Sequence, residues 1–212
     1  MVHTAAVEKV NLVKEDPDYY STSREPLLLT VAGHPFISIT GQGSPESTGF
    51  QDAFRLMYGV AYTLKFAGKK LGRPDFAVAP MEGLWWVGDE SESLNSFGDQ
   101  PRESWRWRLL IRIPEFITEA DYRGAVEEIT RKKDDDGYRT VHFLRLAEGL
   151  CVQVLHVGPY ATEHTTIARM SQYIGEHGLE HAGAHHEIYL SDPRRTAPER
   201  IRTILRQPVR RR

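Results

Sequence analysis

The segments "FISITGQGSPEST" (36–48) and "VQVLHVGPYATEH" (152–164) decide how the rest of this chain is read. Each passes from an alternating apolar stretch through a glycine-containing turn into a helix start, so the same unit occurs twice. Outward from them, "LWWVGD" (84–89) matches "EIYLSD" (187–192), and "WRWRLLIRIP" (105–114) matches "RIRTILRQPV" (200–209). Each half reads strand, helix, strand, strand, with an extra strand at its front, and one helix joins the halves. The expected fold class is therefore α+β: two tandem strand-helix-strand-strand modules, related by a pseudo-two-fold, that form a curved antiparallel sheet with a central ligand groove. The helices are expected on the face opposite the groove. The modules span about 26–117 and 118–209, behind an N-terminal arm (1–25) and ahead of a basic, solvated tail (210–212). Pockets favour such junctions between halves. The matching sets Trp86 at the position of Tyr189.

Local signals fill in the elements. "LLLTVAG" and "FISITGQG", parted by Gly33, His34 and Pro35, read as two strands joined by a tight turn. Ser44 and Pro45 predict a helix start, and Phe50, Phe54, Met57, Tyr58, Ala61 and Leu64 give that helix one apolar face before Gly72 and Pro74 end it. "DFAVAP" and "EGLWWVGD" are short strand candidates, and the polar stretch from Gly88 to Glu103 reads as an exposed loop or lid. Thr118 with Asp121 caps a further helix carrying Tyr122, Val126 and Ile129. "TVHFLRLAE" and "LCVQVLHVG" read as strands around a Glu148-Gly149 corner, followed by a helix from about Thr162 to His177, with Ile167, Met170 and Ile174 inward and Gly178 at its end. Tyr19 and Tyr20 can pack the arm onto the body.

The charges nearly balance, 27 Lys and Arg against 29 Asp and Glu, which gives no strong pull toward nucleic acid or a membrane surface. The single cysteine, Cys151, excludes an internal disulfide and sits in an apolar run as a small buried residue. No run reaches the ~20 apolar residues of a membrane span and no signal peptide is evident, so the chain reads as soluble and cytoplasmic.

Chemistry concentrates in "HHEIYLSD" (185–192). Period-2 alternation puts Glu187 and Tyr189 on one face of a strand and Ile188 and Leu190 on the other. A carboxylate among aromatic residues is an anchor for a cation, through charge and cation-π attraction, or a general base for a water. Adjacent tryptophans on one strand point to opposite faces, so only one of Trp85 and Trp86 lines the groove, and the repeat selects Trp86. Trp107 joins it, and Phe50 and Tyr58, on the core face of the first helix, complete the ligand-binding set. Tyr160, in "GPY" before the second helix, can donate a hydrogen bond or act as an acid, which makes Glu187 and Tyr160 the catalytic candidates. His177, His181, His185 and His186 span a helix end, a turn and a strand, and give no closed set of metal ligands. "GQGSPE" lacks the Gly-Lys-Ser/Thr ending of a phosphate cradle. No metal and no cofactor are expected.

With "MEGLWWVGD", "SWRWRLLIRIPEFIT", "GLCVQVLHVGPY" and "HHEIYLSDPRRTAPERIRTILRQPV" in this order, the chain resembles the stand-alone members of the GyrI-like small-molecule-binding family over about residues 8–209. The resemblance implies tandem modules with a ligand groove, and a buried glutamate among aromatics that receives hydrophobic or cationic small molecules. The glutamate maps onto Glu187 and the aromatics onto Trp86, Trp107, Tyr160 and Tyr189. It further implies detoxification, in some stand-alone members by hydrolysis of reactive cyclopropane-containing toxins. Contact with DNA gyrase is implied by family analogy alone. No helix-turn-helix segment with a basic recognition helix is read ahead of the domain, so neither the regulator role of some family members nor direct nucleic-acid binding is expected here.

Overall fold

The computed structural model describes residues 9–90 and 100–212. Two four-residue helices, α1 (Leu12–Glu15) and α2 (Pro17–Tyr20), form the arm. Then come β1 (Leu27–Val31), β2 (His34–Gln42), α3 (Thr48–Lys70), β3 (Met81–Trp86), β4 (Arg106–Arg112) and α4 (Glu119–Lys133). The second half comprises β5 (His142–Leu146), β6 (Gly149–Val157), α5 (Glu163–Glu176), β7 (Leu179–His181), β8 (His185–Tyr189) and β9 (Arg202–Arg211). The expected α+β class holds: the strands form one antiparallel sheet in the order β1-β6-β9-β8-β3-β4-β2-β5, with β7 on the end of β9. The halves meet where β3 pairs with β8. The basic residues Arg210 and Arg211 continue β9 against β7, so the strand runs into what was expected to be a free tail.

Neither expected hairpin forms. β1 pairs with β6 and β2 with β5, so each front strand completes the sheet of the other half. A two-residue hairpin needs a positive φ in its turn, and Gly33, the glycine of the first link, does not adopt one. The links instead jump between the two ends of the strand order. Val31 pairs with Gly149 and His34 with Leu146, while two residues connect β1 to β2 and two connect β5 to β6. Three chain steps span at most about 11 Å, so both ends of the sheet must come together and the sheet rolls into an incomplete barrel. At this seam a Cβ on Gly33 would meet the Cβ of Ala147 at 3.3 Å.

Helix α3 starts at Thr48, capped by Ser47, rather than at Pro45, because Ser44 to Ser47 first closes a turn (Ser47 N to Ser44 O, 3.0 Å). Its buried face is Phe50, Ala53, Leu56, Met57, Val60, Ala61 and Leu64. The capping box of α4 is present as read, with Thr118 and Asp121 exchanging bonds of 3.2 and 2.8 Å. "DFAVAP" forms no ladder; Phe76 makes one parallel bridge to Val10 of the arm. Of the expected lid, residues 91–99 lie outside those described.

Cross-strand partners share a face, which fixes the two sides of the sheet. On one side lie Val152, Val154 and Leu205, packed by Met170 and Ile174 of α5, and Trp85 and Trp107, packed by Phe50 of α3. The opposite side carries a buried polar network closed by the arm. Glu82 accepts from Tyr19 Oη (2.6 Å) and Tyr20 Oη (3.3 Å) and lies 2.9 Å from His186 Nε2. His186 Nδ1 is 2.9 Å from Glu148, which pairs with Arg206 at 2.9 Å, and Arg206 donates to the Tyr19 carbonyl at 3.0 Å. Burial lowers the His186 pKa, but Glu148 and Glu82 outweigh it and hold the value up at about 9, so the ring is charged. Burial likewise raises Glu148, yet His186 and Arg206 draw it down to about 2. Every hydrogen-bonding group of this imidazolium is thereby paired, as burial of a charge demands.

Candidate functional site

Glu187 pairs with Gly83 of β3 on one side and with Leu205 of β9 on the other. Leu205 belongs to the cluster under α5, so Glu187 faces the helices. The expectation that Glu187 faces away from the helices is thus overturned: it shares the side of the sheet that α3 and α5 cover. The far face is occupied by the arm and its charge network.

The same register corrects Trp86. The pairs Glu82–Ile188 and Leu84–His186 flank Gly83–Glu187 symmetrically, so a two-fold through the central pair sends Trp85, not Trp86, to the position of Tyr189. The sequence match was one residue out of register, and a one-residue slip exchanges the faces of a strand. Trp85 Nε1 donates to Tyr189 Oη at 3.1 Å. Trp86 lies on the opposite face, buried, with the Arg108 guanidinium 5.7 Å from its ring centre.

Of the remaining candidates, Phe50, Trp107, Tyr160 and Tyr189 join contacts around this face, and Tyr58 does not. Phe50 packs on Trp85 and Trp107 with ring centres 5.3 and 5.1 Å apart, and Tyr160 meets Tyr189 edge-on at 6.0 Å. Tyr58, one turn further along α3 from Phe54, is raised in pKa by burial and then by Tyr62, whose ring centre lies 6.3 Å from its own. Two glycines make room for the rings. A Cβ on Gly83 would lie 2.8 Å from Tyr189 Oη and 2.9 Å from Trp85 Nε1, and one on Gly41 would overlap the Trp107 indole. The turn bearing Tyr160 is fixed by His156, whose Nδ1 is 2.9 Å from Thr166 Oγ1 and whose Nε2 is 3.3 Å from the Pro159 carbonyl.

Electrostatically, the site gathers two buried carboxyls whose charged forms burial disfavours. Glu187 is 9% exposed, and its ion-pair neighbour is His185 Nε2 at 3.7 Å, beyond hydrogen-bond reach. Burial depresses His185 to about 3, so it is neutral. Burial raises the Glu187 carboxyl, against the opposing pull of the Tyr189 hydroxyl and of His186. Glu163, first residue of α5, is also buried and raised, by desolvation and then by the charge of Glu187. Tyr160 is pushed up to about 12, chiefly by burial and then by Glu163 and Glu187. At 40% exposure Tyr160 is the open edge of the cluster, whereas Trp85 and Trp107 are 3% exposed each. Two surface cavities, of about 350 and 320 Å³, lie by β7 and between α3 and α4, away from Glu187.

Three members of this constellation were not read from the sequence. Trp85 was displaced by the slipped register. Glu163 stands at the first turn of a helix, where an acid ordinarily complements the helix dipole, and only its spacing of three from Tyr160 hinted at the site. His185 shares the face of Glu187 by simple alternation, and was weighed only as a metal ligand. No group of three or more His, Cys, Asp or Glu suited to a metal ion occurs among the described residues, nor is any helix there long and apolar enough to cross a membrane.

Residues 116–210 match the GyrI-like small molecule binding domain. An uncharacterised conserved protein from Listeria innocua is 37% identical, with a TM-score of 0.86 over 95% of this chain and 100% of its own. A hydrolase from the same organism is 36% identical, with a TM-score of 0.82 over 95% and 100%. No curated protein matches.

Proposed function

Since this chain belongs to the GyrI-like small-molecule-binding family, we propose that it receives hydrophobic, aromatic or cationic small molecules against Glu187 and detoxifies electrophiles among them by hydrolysis, cyclopropane-containing compounds in particular. One observation carries this reading. Glu187 is a buried carboxyl with no charged partner on its own face among the described residues, on the same face as Trp85 and Tyr189, the latter in contact with Tyr160. A carboxylate so placed favours a positively charged ligand by charge and cation-π attraction, each aromatic contact contributing on the order of 0.5–2 kcal/mol. For a strained, conjugated cyclopropane the same carboxylate orients and deprotonates a water that attacks the ring carbon, a contribution of about 10²- to 10⁴-fold. The 36% identity to a hydrolase supports the catalytic form.

The test is incubation with a cyclopropane-fused cyclohexadienone, with the ring-opened hydrate followed by mass spectrometry beside Glu187→Gln. Product from the unmodified protein and none above background from the variant is expected. Turnover that survives Glu187→Gln sinks the general-base role, and saturable binding without product reduces the function to sequestration.

A further inference from the structure

The outward side of α3 carries a ladder of rings. Tyr58, Tyr62 and Phe66 recur every fourth residue, and their ring centres are 6.3 Å apart at each step. Residues at this spacing share one side of a helix, while the buried Leu56, Val60 and Leu64 hold the other side against the body. Tyr62 is 47% exposed and Phe66 55%. A contiguous exposed apolar patch with a charged rim marks a surface that another molecule covers.

The charges on the rim say which molecule. Arg55 and Lys69 stand seven residues before and after Tyr62, about two turns away along the same side of the helix. Arg55 is held by two carboxylates, Asp52 at 2.7 Å and Asp135 at 2.9 Å, so that end of the ladder is a net negative group. Lys69 at the other end is exposed and has no ion-pair partner among the described residues. An anionic surface such as a lipid headgroup layer would be matched by one end and repelled by the other.

We propose that this face binds a second copy of the chain, as an antiparallel pair of α3 helices whose two-fold passes at Tyr62. In such a pair each position after the axis meets the equivalent position before it in the other copy. Tyr62 then faces the partner's Tyr62, Phe66 meets the partner's Tyr58, and Lys69 meets the negative group around the partner's Arg55. A parallel pair would instead set Lys69 against Lys69, and the antiparallel arrangement also opposes the two helix dipoles favourably. With 23 residues α3 is about 35 Å long, and a strip about 10 Å wide along it covers roughly 350 Å² per partner, against ~800 Å² in a standard stable complex. The dimer is accordingly a weak, reversible one, and it is independent of the chemistry at Glu187.

Sedimentation of the full-length protein from about 10 μM to about 1 mM should show the mass rising from the 24.2 kDa of one chain toward twice that value. Phe66→Ser, Lys69→Glu and Asp52→Lys should each weaken association by about tenfold or more, with folding checked by circular dichroism. Lys69→Glu combined with Asp52→Lys should restore it, since the two ends exchange sign. Under an added oxidant Tyr62→Cys should form a disulfide-linked dimer, because only the axial position lies opposite itself, whereas Lys69→Cys should not; the native Cys151 is buried and does not compete. A monomer at about 1 mM overturns the proposal. So does association that ignores Phe66→Ser, a charge exchange that fails to restore it, or Lys69→Cys linking as readily as Tyr62→Cys. A monomer that sediments with phosphatidylglycerol vesicles, and loses them on Phe66→Ser, would give this face to a lipid surface and overturn the second copy.

Discussion

Replacing Gly83 by alanine puts the face assignment at risk with a single methyl group. Gly83 sits opposite Glu187, and its backbone has no positive φ that would demand glycine. What demands it is the pair of rings above: the new Cβ would lie 2.8 Å from Tyr189 Oη and 2.9 Å from Trp85 Nε1, between two atoms that share a 3.1 Å hydrogen bond. Overpacking of this kind costs about 1–3 kcal/mol, and loss of the indole–phenol bond about 1 kcal/mol more. Alanine regains about 0.5–1 kcal/mol over glycine within a strand. A net loss of about 2 kcal/mol should lower Tm by about 4–8 °C in a chain of this size, with a shift in tryptophan emission as Trp85 loses its acceptor. Gly124→Ala is the control, since that helix position meets nothing within 4 Å of its Cβ and should gain about 0.4–1 kcal/mol. Thermal unfolding followed by circular dichroism, together with fluorescence, reads both. A Gly83→Ala protein with the original Tm and emission would mean that Trp85 and Tyr189 do not meet over Gly83, and the site would have to be rebuilt around Trp86.

Other expectations concern charge and side. Glu187→Gln should weaken binding of a planar lipophilic cation by about 2 kcal/mol or more, near 30-fold, and leave a neutral isostere little changed, as calorimetry would show; equal losses for both ligands would contradict a charge role. Trp86→Ala should destabilise the fold by about 3–5 kcal/mol while sparing ligand affinity in the remaining folded protein, whereas Trp85→Ala should impair both, read by denaturant unfolding and by titration. His186 has its folded pKa raised from 6.5 to about 9, so its contribution is fully present below pH 6.5 and is lost as pH rises through about 9. The stability difference between the unmodified protein and His186→Gln should therefore shrink by on the order of 3 kcal/mol across that window, and urea midpoints that stay parallel would refute a charged His186.

Where sequence reading succeeded, local rules governed the outcome. The capping pair Thr118 and Asp121, the apolar stripe of α3 and the alternation around Glu187 all report short-range physics, and all appear in the structure. The tandem modules were legible because the repeat itself is local in each half. Failures arose where distant segments choose partners. "LLLTV" carries no mark that says β6 rather than β2, and the double tryptophan fits two registers that differ only in which ring reaches Tyr189. Glu163 was hidden for a related reason: an acid at a helix start already has an adequate local explanation, and only the approach of β8 and β9 makes it a buried one.

The exchange of β1 and β5 between the halves bears on how the molecule is made. Although the repeat suggests two units that could fold in turn, β6 lacks an edge neighbour until β1 arrives from the other half, and β2 waits likewise for β5. A nascent chain ending near residue 118 would expose β2 as a bare strand edge, the kind of surface that seeds aggregation. Contacts between residues more than a hundred positions apart, such as Leu27 with Gln153 and Phe36 with Leu144, slow folding because the loop must close before it is rewarded. The duplicated architecture therefore folds as one cooperative body, and cutting it at its internal boundary would yield two interrupted sheets instead of two working modules.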